Sequence, residues 1–290
     1  MNSNKTILVT GANGQLGKEF QALAELNQQY HFLFTAREDL AIENAEAVQQ
    51  YFKDHPINFC INCAAYTAVD KAETADEAAF LINATAAGNL AAVCEQFKVQ
   101  LIHISTDYVF DGTGKRPYKE TDTTNPIGVY GKSKLQGEAL VLQHSPAAII
   151  IRTSWVYSSF GNNFVKTMLR LMTEREVVNV VNDQTGCPTY AADLAQCILK
   201  IIEKHGSFHI PYRIFNYCNE GIISWYEFAL AIKELTNSSC AVNPIPSSQY
   251  PTPAKRPAYS VLNNSRIKEV FAVVIPEWKE SLKKCLQLMA

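Results

Sequence analysis

The sequence carries almost no net charge: 26 Lys and Arg stand against 28 Asp and Glu in 290 residues, a balance of −2. Without a basic excess there is no electrostatic footprint for nucleic acid or an anionic membrane, so a small-molecule ligand is expected. Long apolar runs of about 18 residues are missing too, and the start at Met1 leads straight into a strand pattern at Lys5 without the apolar stretch of a signal peptide. No membrane association is expected, and a cytoplasmic location is. Metal-ligand spacing is also lacking. The eight cysteines are scattered, and Cys60, Cys63, Cys94 and Cys197 sit in apolar runs where a reduced thiol behaves as a small hydrophobe. Cys60-x-x-Cys63 has no second Cys or His pair to complete a site, so no metal is expected. Internal repeats and low-complexity tracts are absent.

What remains is a globular composition, 47% hydrophobic and 19% charged, on a chain long enough for one large domain or a main domain with a smaller lobe. Thr6–Thr10 is a short β-branched run. Gly11, Asn13, Gly14, Gln15, Leu16 and Gly17 follow it, before a helical pattern through Phe20, Leu23 and Leu26. Glycines between a strand and a helix let backbone N–H groups approach a pyrophosphate at the positive helix end. The spacing here is Gly-x-x-Gly-x-x-Gly, a departure from the usual Gly-x-Gly-x-x-Gly. A second strand, His31–Thr35, leads to Arg37 where an acidic residue would normally grip an adenosine ribose, so a 2′-phosphate is tolerable there; Asp39 and Leu40 would lie further along the adenine pocket. A helix from about Asn44 to Lys53 precedes a third strand, Asn58–Asn62. That strand ends in Cys63, Ala64, Ala65, Tyr66 and Thr67, small enough at first for a cofactor to lie against the backbone, although the two alanines alone would equally suit tight helix packing.

A long helix is expected from Glu73 to Phe97, then a buried strand, Val99–Ser105, whose end carries Thr106, Asp107 and Tyr108. Alternating strands and helices predict a doubly wound parallel sheet of Rossmann type, with ligands bound outside the carboxyl ends of the strands. Thr106 and Tyr130 therefore emerge beside the glycine turn. Tyr130 and Lys134 stand one helical turn apart on one face. Two unit charges about 4 Å apart at an effective dielectric of about 20 interact by roughly 4 kcal/mol, about three pKa units, so Lys134 is expected to bring the Tyr130 phenol toward neutrality as a proton donor. A hydroxyl from Thr106 or Ser105 would share the reacting oxygen. Ala147–Arg152 reads as the next strand, ending near Trp155, a residue that suits either a core or the face of a sugar. Beyond Phe160 the rhythm loosens: a helix over Asn163–Thr173, a strand over Val177–Val181, a loop over Gln184–Thr189 and a helix from about Ala191 to Glu203 are expected. The proline-rich segment Pro244–Pro257 is expected to lack regular structure; its Lys255–Arg256 pair would suit a diphosphate if it faces the cleft.

Together, Gly11–Gly17, Asn62–Glu73, Ser105–Gly112, Tyr130–Lys134, Arg152–Trp155, Gln184–Thr189 and Arg256–Pro257 give a sequence that resembles the extended short-chain dehydrogenase/reductase family, on the branch that acts on dTDP-4-dehydrorhamnose. The likeness runs through nearly the whole chain. It implies that NADPH or NADH reduces the C4 ketone of dTDP-4-dehydro-β-L-rhamnose to dTDP-β-L-rhamnose. It further implies that Tyr130 donates the proton, that Lys134 supports it and holds the nicotinamide ribose, that Thr106 binds the carbonyl oxygen, and that Asp107, Tyr108, Trp155 and Arg256 line the sugar nucleotide. Residues 1–155 would form mainly the dinucleotide-binding domain with the catalytic groups, and 156–290 mainly a substrate lobe with segments returning to the main domain. Some members hold magnesium at a dimer contact through acidic residues. Glu19 is present here, but Ala192 stands at a position acidic in those members, and the chain stops at Ala290 without a terminal acid. A monomer or a different homodimer is expected. Two rivals remain: another nucleotide-sugar reductase or epimerase on the same scaffold, and a non-catalytic nucleotide-binding regulatory subunit. A dehydratase is disfavoured because Tyr108, not Glu, follows Thr106-Asp107.

Overall fold

Several of the strand-forming runs are apolar throughout rather than alternating, which is the pattern of a parallel sheet covered on both faces. The computed structural model describes residues 5–206 and 210–289; the start at Met1 and the terminal Ala290, on which two expectations above rest, lie outside the described residues. The first half runs β1 (Lys5–Thr10), α1 (Gln15–Leu26), β2 (Tyr30–Thr35), α2 (Ala45–Asp54), β3 (Phe59–Asn62), α3 (Val69–Ala72), α4 (Asp76–Phe80), α5 (Ala87–Gln96), β4 (Gln100–Thr106), α6 (Val129–His144) and β5 (Ile149–Thr153). The second half runs β6 (Val156–Tyr157), α7 (Phe164–Glu174), β7 (Val177–Val181), β8 (Thr185–Gly186), β9 (Thr189–Tyr190), α8 (Ala191–Lys204), β10 (Ile214–Tyr217), β11 (Ile223–Ser224), α9 (Trp225–Leu235), β12 (Ala241–Ile245), α10 (Ser265–Phe271) and α11 (Trp278–Gln287).

Among the described residues the main sheet has the order β10-β5-β4-β3-β1-β2, every pair parallel. The chain leaves β1 in one direction to β2 and in the other to β3, so the topological switch lies between β1 and β3, where Thr10 pairs with Asn62. That switch opens a crevice at the strands' carboxyl ends. Successive β1 residues divide between two cores. Ile7 and Val9 face Leu194, Ile198, Ile267 and Phe271 of α8 and α10, while Leu8 faces Val48, Phe52, Leu90 and Cys94 of α2 and α5. Each such side chain, fully buried, stabilises the fold by about 1.5–3 kcal/mol. α8, α10 and β10 come from the second half of the chain, so that half contributes to both layers. Its remainder builds a third core, in which Met168, Val178, Val180, Phe228, Ile232 and Leu282 pack around the parallel β7/β12 pair.

The long helix expected from Glu73 departs from one regular rod. Glu73, Thr74 and Ala75 form the junction between α3 and α4, and Leu81–Ala86 is π-helical. The bulge carries Asn83, whose carbonyl comes so close to α6 that a Cβ on Gly137 would lie 2.0 Å from it. The stretch Asp76–Gln96 is long and apolar enough to cross a membrane by length and composition, but 56% of its apolar window is buried within the fold. Two further expectations are corrected. The Gln184–Thr189 segment contains β8 and the start of β9, and the proline-rich segment gives Pro244 and Ile245 to β12 and Ser247–Gln249 to a 3-10 turn. β12 pairs with a single neighbour, so Pro244 can sit there without breaking a ladder.

Candidate active site

The turn after β1 is built by close approach. Gly11 has φ +67°, and a Cβ there would meet the Ala64 backbone at 2.6 Å; a Cβ on Gly17 would lie 2.5 Å from the Gly11 carbonyl oxygen. α1 is thereby drawn against the ends of β1 and β3. Its N-cap, Gly14, offers no side-chain acceptor, so the positive end of a twelve-residue helix faces the crevice uncapped by its own residues. Gly11, Asn13, Gly14, Gln15, Leu16 and Gly17 all line one cleft of about 830 Å³, near the upper end of the size usual for ligand sites. Ala64, Ala65, Tyr66 and Thr67 form its wall above β3. Asn83 fixes that wall: its Oδ1 accepts from Tyr66 N–H at 2.9 Å, and its Nδ2 donates to Tyr66 O at 3.0 Å and to Ser133 Oγ on α6 at 3.0 Å. Glycine packing, an uncapped helix start and an elongated cleft fit a dinucleotide.

At the far end of the cleft, Arg37 and Leu40 are present as expected, but Arg37 is tied to Glu43 at 2.6 Å, and Asp39 is not among the lining residues. The Asp39 carboxylate instead accepts from the Ala36 N–H at 2.9 Å, closing the turn after β2. Sequence order placed Asp39 in the pocket because the tightness of that turn is invisible along the chain. The acids that line this end of the cleft are Glu38, which accepts from Asn13 Nδ2 at 3.0 Å, and Glu43.

Thr106, Asp107, Tyr108, Tyr130 and Lys134 converge on the cleft beside the glycine turn. Of the two hydroxyls considered, Thr106 faces the cleft and Ser105 does not serve it: Ser105 Oγ donates to Glu138 Oε1 at 2.5 Å. Glu138 is in turn held by Arg152 Nε at 2.8 Å and Nη2 at 2.6 Å, a buried pair that ties β4, α6 and β5 together. Thr106 Oγ1 donates to Asp107 Oδ1 at 2.9 Å. Burial pushes the Asp107 carboxyl up to about 6, against the pull of the Ser260 and Thr106 hydroxyls, and its Oδ2 has no partner of normal hydrogen-bond geometry. The Tyr108 ring stands edge-on to Tyr130, centroids 5.5 Å apart.

The expected pairing of Lys134 with the phenol is not made. Lys134 Nζ donates to the Ile104 carbonyl at 2.7 Å and lies 3.4 Å from His103 Nε2, so its charge is directed beneath the site, toward β4. Burial pushes Tyr130 above the ordinary phenol range, with the Thr106 hydroxyl pulling the other way, and it pushes Lys134 down to about 8. Desolvation of both groups outweighs the Coulomb attraction that the one-turn spacing suggested. Burial also keeps His103 neutral. Its Nδ1 lies 3.1 Å from Asn62 Nδ2, while Asn62 Oδ1 accepts from Thr10 Oγ1 and Ala64 N–H, which assigns the Asn62 amide nitrogen to the histidine side.

Trp155 has φ +47°, a left-handed conformation costly for a large side chain, and its ring stacks on Trp225 with centroids 3.6 Å apart. Both line the cleft. A Cβ on Gly186 would lie 2.6 Å from the Trp155 ring, so glycine there makes room for it. Trp225 carries no site signal of its own in the sequence: it follows Ser224 of a Ser-x-x-Glu capping box, the pattern of a helix start. Arg256 lies outside the cleft lining: Nη2 pairs with Asp70 Oδ2 at 2.7 Å and Nη1 donates to the Tyr108 hydroxyl oxygen at 3.2 Å. Glu19, the magnesium candidate, is buried and accepts from Ser158 Oγ at 2.6 Å, while Ala192 packs against the third core.

Comparison with known proteins places this geometry. The family model described as the RmlD substrate binding domain matches residues 5–290. A dTDP-4-dehydrorhamnose reductase of Aggregatibacter actinomycetemcomitans is 41% identical over 284 residues, 96% of this chain and 97% of that one. The crystal structure of a dTDP-4-dehydrorhamnose reductase from Clostridium acetobutylicum superposes with a TM-score of 0.93 at 44% identity, covering 98% of this chain and 99% of that one. That of the Bacillus anthracis dTDP-4-dehydrorhamnose reductase in complex with NADP gives a TM-score of 0.93 at 40% identity, over 99% of this chain and all of that one. A match along the whole described length makes this chain a member of the RmlD substrate-binding-domain family, alongside the dTDP-4-dehydrorhamnose reductases.

Proposed function

We propose that the protein reduces the C4 ketone of dTDP-4-dehydro-β-L-rhamnose to dTDP-β-L-rhamnose with NADPH or NADH, the last step in making that sugar nucleotide. The observation that carries this is the convergence of Thr106, Tyr130 and Lys134 on the cleft that the glycine turn opens. When bound, the dinucleotide supplies a hydride. The chain's own residues do the rest. The Tyr130 phenol, raised by burial, stays protonated through the physiological range and gives its proton to the oxygen of the reduced carbon. The Thr106 hydroxyl shares that oxygen and stabilises charge as it develops. Lys134, its Nζ anchored on the Ile104 carbonyl beneath the phenol, supports the dinucleotide ribose from below. Trp155, Asp107 and Tyr108 shape the sugar side together with Trp225 of the second half, which stacks on Trp155.

The division of labour follows the chain: residues 1–155 mainly hold the dinucleotide and catalytic groups, and 156–290 mainly supply the sugar side, with α8, β10 and α10 returning to the main sheet. The eight cysteines are free thiols, which suits a reducing cytoplasmic setting. The test is to mix the purified protein with dTDP-4-dehydrorhamnose, follow NADPH and NADH absorbance and identify the product. Oxidation of the nucleotide with dTDP-rhamnose formed supports the reading. No oxidation, with the nucleotide bound, refutes it in favour of another sugar nucleotide or a regulatory subunit.

A further inference from the structure

We propose that Glu73 is a positioning residue for Tyr130: its carboxylate, arriving from the turn beyond β3, caps the helix on which the phenol stands. This rests on the reductase reading above. α6 opens at Gly128, which has no side chain to cap it. Glu73 Oε1 takes that place, accepting the Val129 N–H at 2.9 Å from a position 56 residues earlier. Tyr130 is the next residue. A carboxylate at a helix N-terminus both satisfies an orphan donor and complements the helix dipole, and so holds the first turn in register.

The glycine at 128 is explained by the same contact. Its φ of −129° is open to any residue, but a Cβ there would lie 2.8 Å from Glu73 Oε1 and near nothing else but the same side chain's Cδ at 3.9 Å. Space for the Glu73 carboxylate, rather than backbone conformation, accounts for Gly128. One turn before Glu73, Asp70 Oδ2 holds Arg256 at 2.7 Å and Oδ1 accepts the Ala254 N–H at 3.2 Å. Arg256 bonds the Tyr108 hydroxyl, and the Tyr108 ring packs edge-on to Tyr130. The Asp70-x-x-Glu73 turn therefore grips the catalytic tyrosine from two sides, through its helix and through its aromatic neighbour. Neither acid lines the cleft.

The experiment uses the full chain as Glu73→Ala, Glu73→Gln, Gly128→Ala and the Glu73→Ala/Gly128→Ala pair, with amide exchange at Val129, NADPH binding and steady-state kinetics as readouts. Glu73→Ala is expected to speed Val129 exchange about fivefold and to lower kcat about tenfold, with KM for NADPH within about twofold. Glu73→Gln keeps an acceptor oxygen and recovers most of both. Gly128→Ala displaces the carboxylate, reproduces Glu73→Ala and adds almost nothing in its background. No rescue by Gln, a matching loss of NADPH affinity, or additive effects in the double variant would overturn the proposal. If the wild type fails to reduce dTDP-4-dehydrorhamnose, the reductase reading falls by itself, and Val129 exchange with its Gln rescue still decides the cap.

Discussion

Tyr130 and Thr106 differ in what their removal should cost. Tyr130→Phe deletes the proton donor, and kcat should fall toward the upper part of the roughly 10²- to 10⁴-fold range for general acid catalysis. Thr106→Ala deletes one donor to the developing oxyanion and should cost about 10²- to 10³-fold while NADPH still binds. Single-turnover kinetics beside a fluorescence titration would separate the two effects. Asp107 makes a different prediction. Its carboxyl, raised by burial to about 6, is more easily protonated in the folded chain than in the unfolded one. Stability from this group is therefore complete below the ordinary Asp value near 3.9 and is lost as pH rises through about 6, by up to about 3 kcal/mol. Asp107→Asn should raise the unfolding midpoint at pH 8 and lose that advantage near pH 4, even as it impairs the sugar side. Denaturant melts at the two pH values check this; an equal midpoint at both would refute it. The residue types at these positions were legible in the sequence. Their protonation was not, because it depends on how much water the surrounding elements remove.

At the scale of elements, the site depends on α1 sitting close to β1 and β3. Gly17→Ala would put a Cβ 2.5 Å from the Gly11 carbonyl oxygen and 2.7 Å from Ala12 Cα, both backbone atoms that cannot step aside. The helix must move instead. NADPH affinity should drop at least about tenfold, and the fold should lose about 1–3 kcal/mol, measured by nucleotide fluorescence and by urea unfolding. The glycine spacing announced the turn, and the strand and helix patterns announced most of the sheet. What local pattern could not announce was the π-helical segment at Leu81–Ala86, which places Asn83 to brace both Tyr66 and Ser133. A π-bulge changes the register of a helix without changing its composition.

For the whole molecule, Glu19 is buried against Ser158 at the contact between α1 and the segment after β6, and Ala192 offers no ligand. EDTA should therefore leave activity and native mass unchanged, and light scattering that finds a chelator-sensitive dimer would sink that view. Sequence alone determined the doubly wound sheet, the glycine turn and the Tyr130–Lys134 spacing, because β-branched runs, glycines and one-turn intervals act through neighbours in the chain. Tertiary structure alone decided that Lys134 points beneath the phenol, that Arg37 and Arg256 are held by Glu43 and Asp70, and that Trp225 stacks on Trp155 in the cleft wall. Those outcomes are set by desolvation and by partners 70 to 186 residues apart in some cases and a few residues apart across a tight turn in others. Such contacts and burial arise only when whole elements pack against one another, within the first half for Lys134 and Arg37 and between the halves for Arg256 and Trp225.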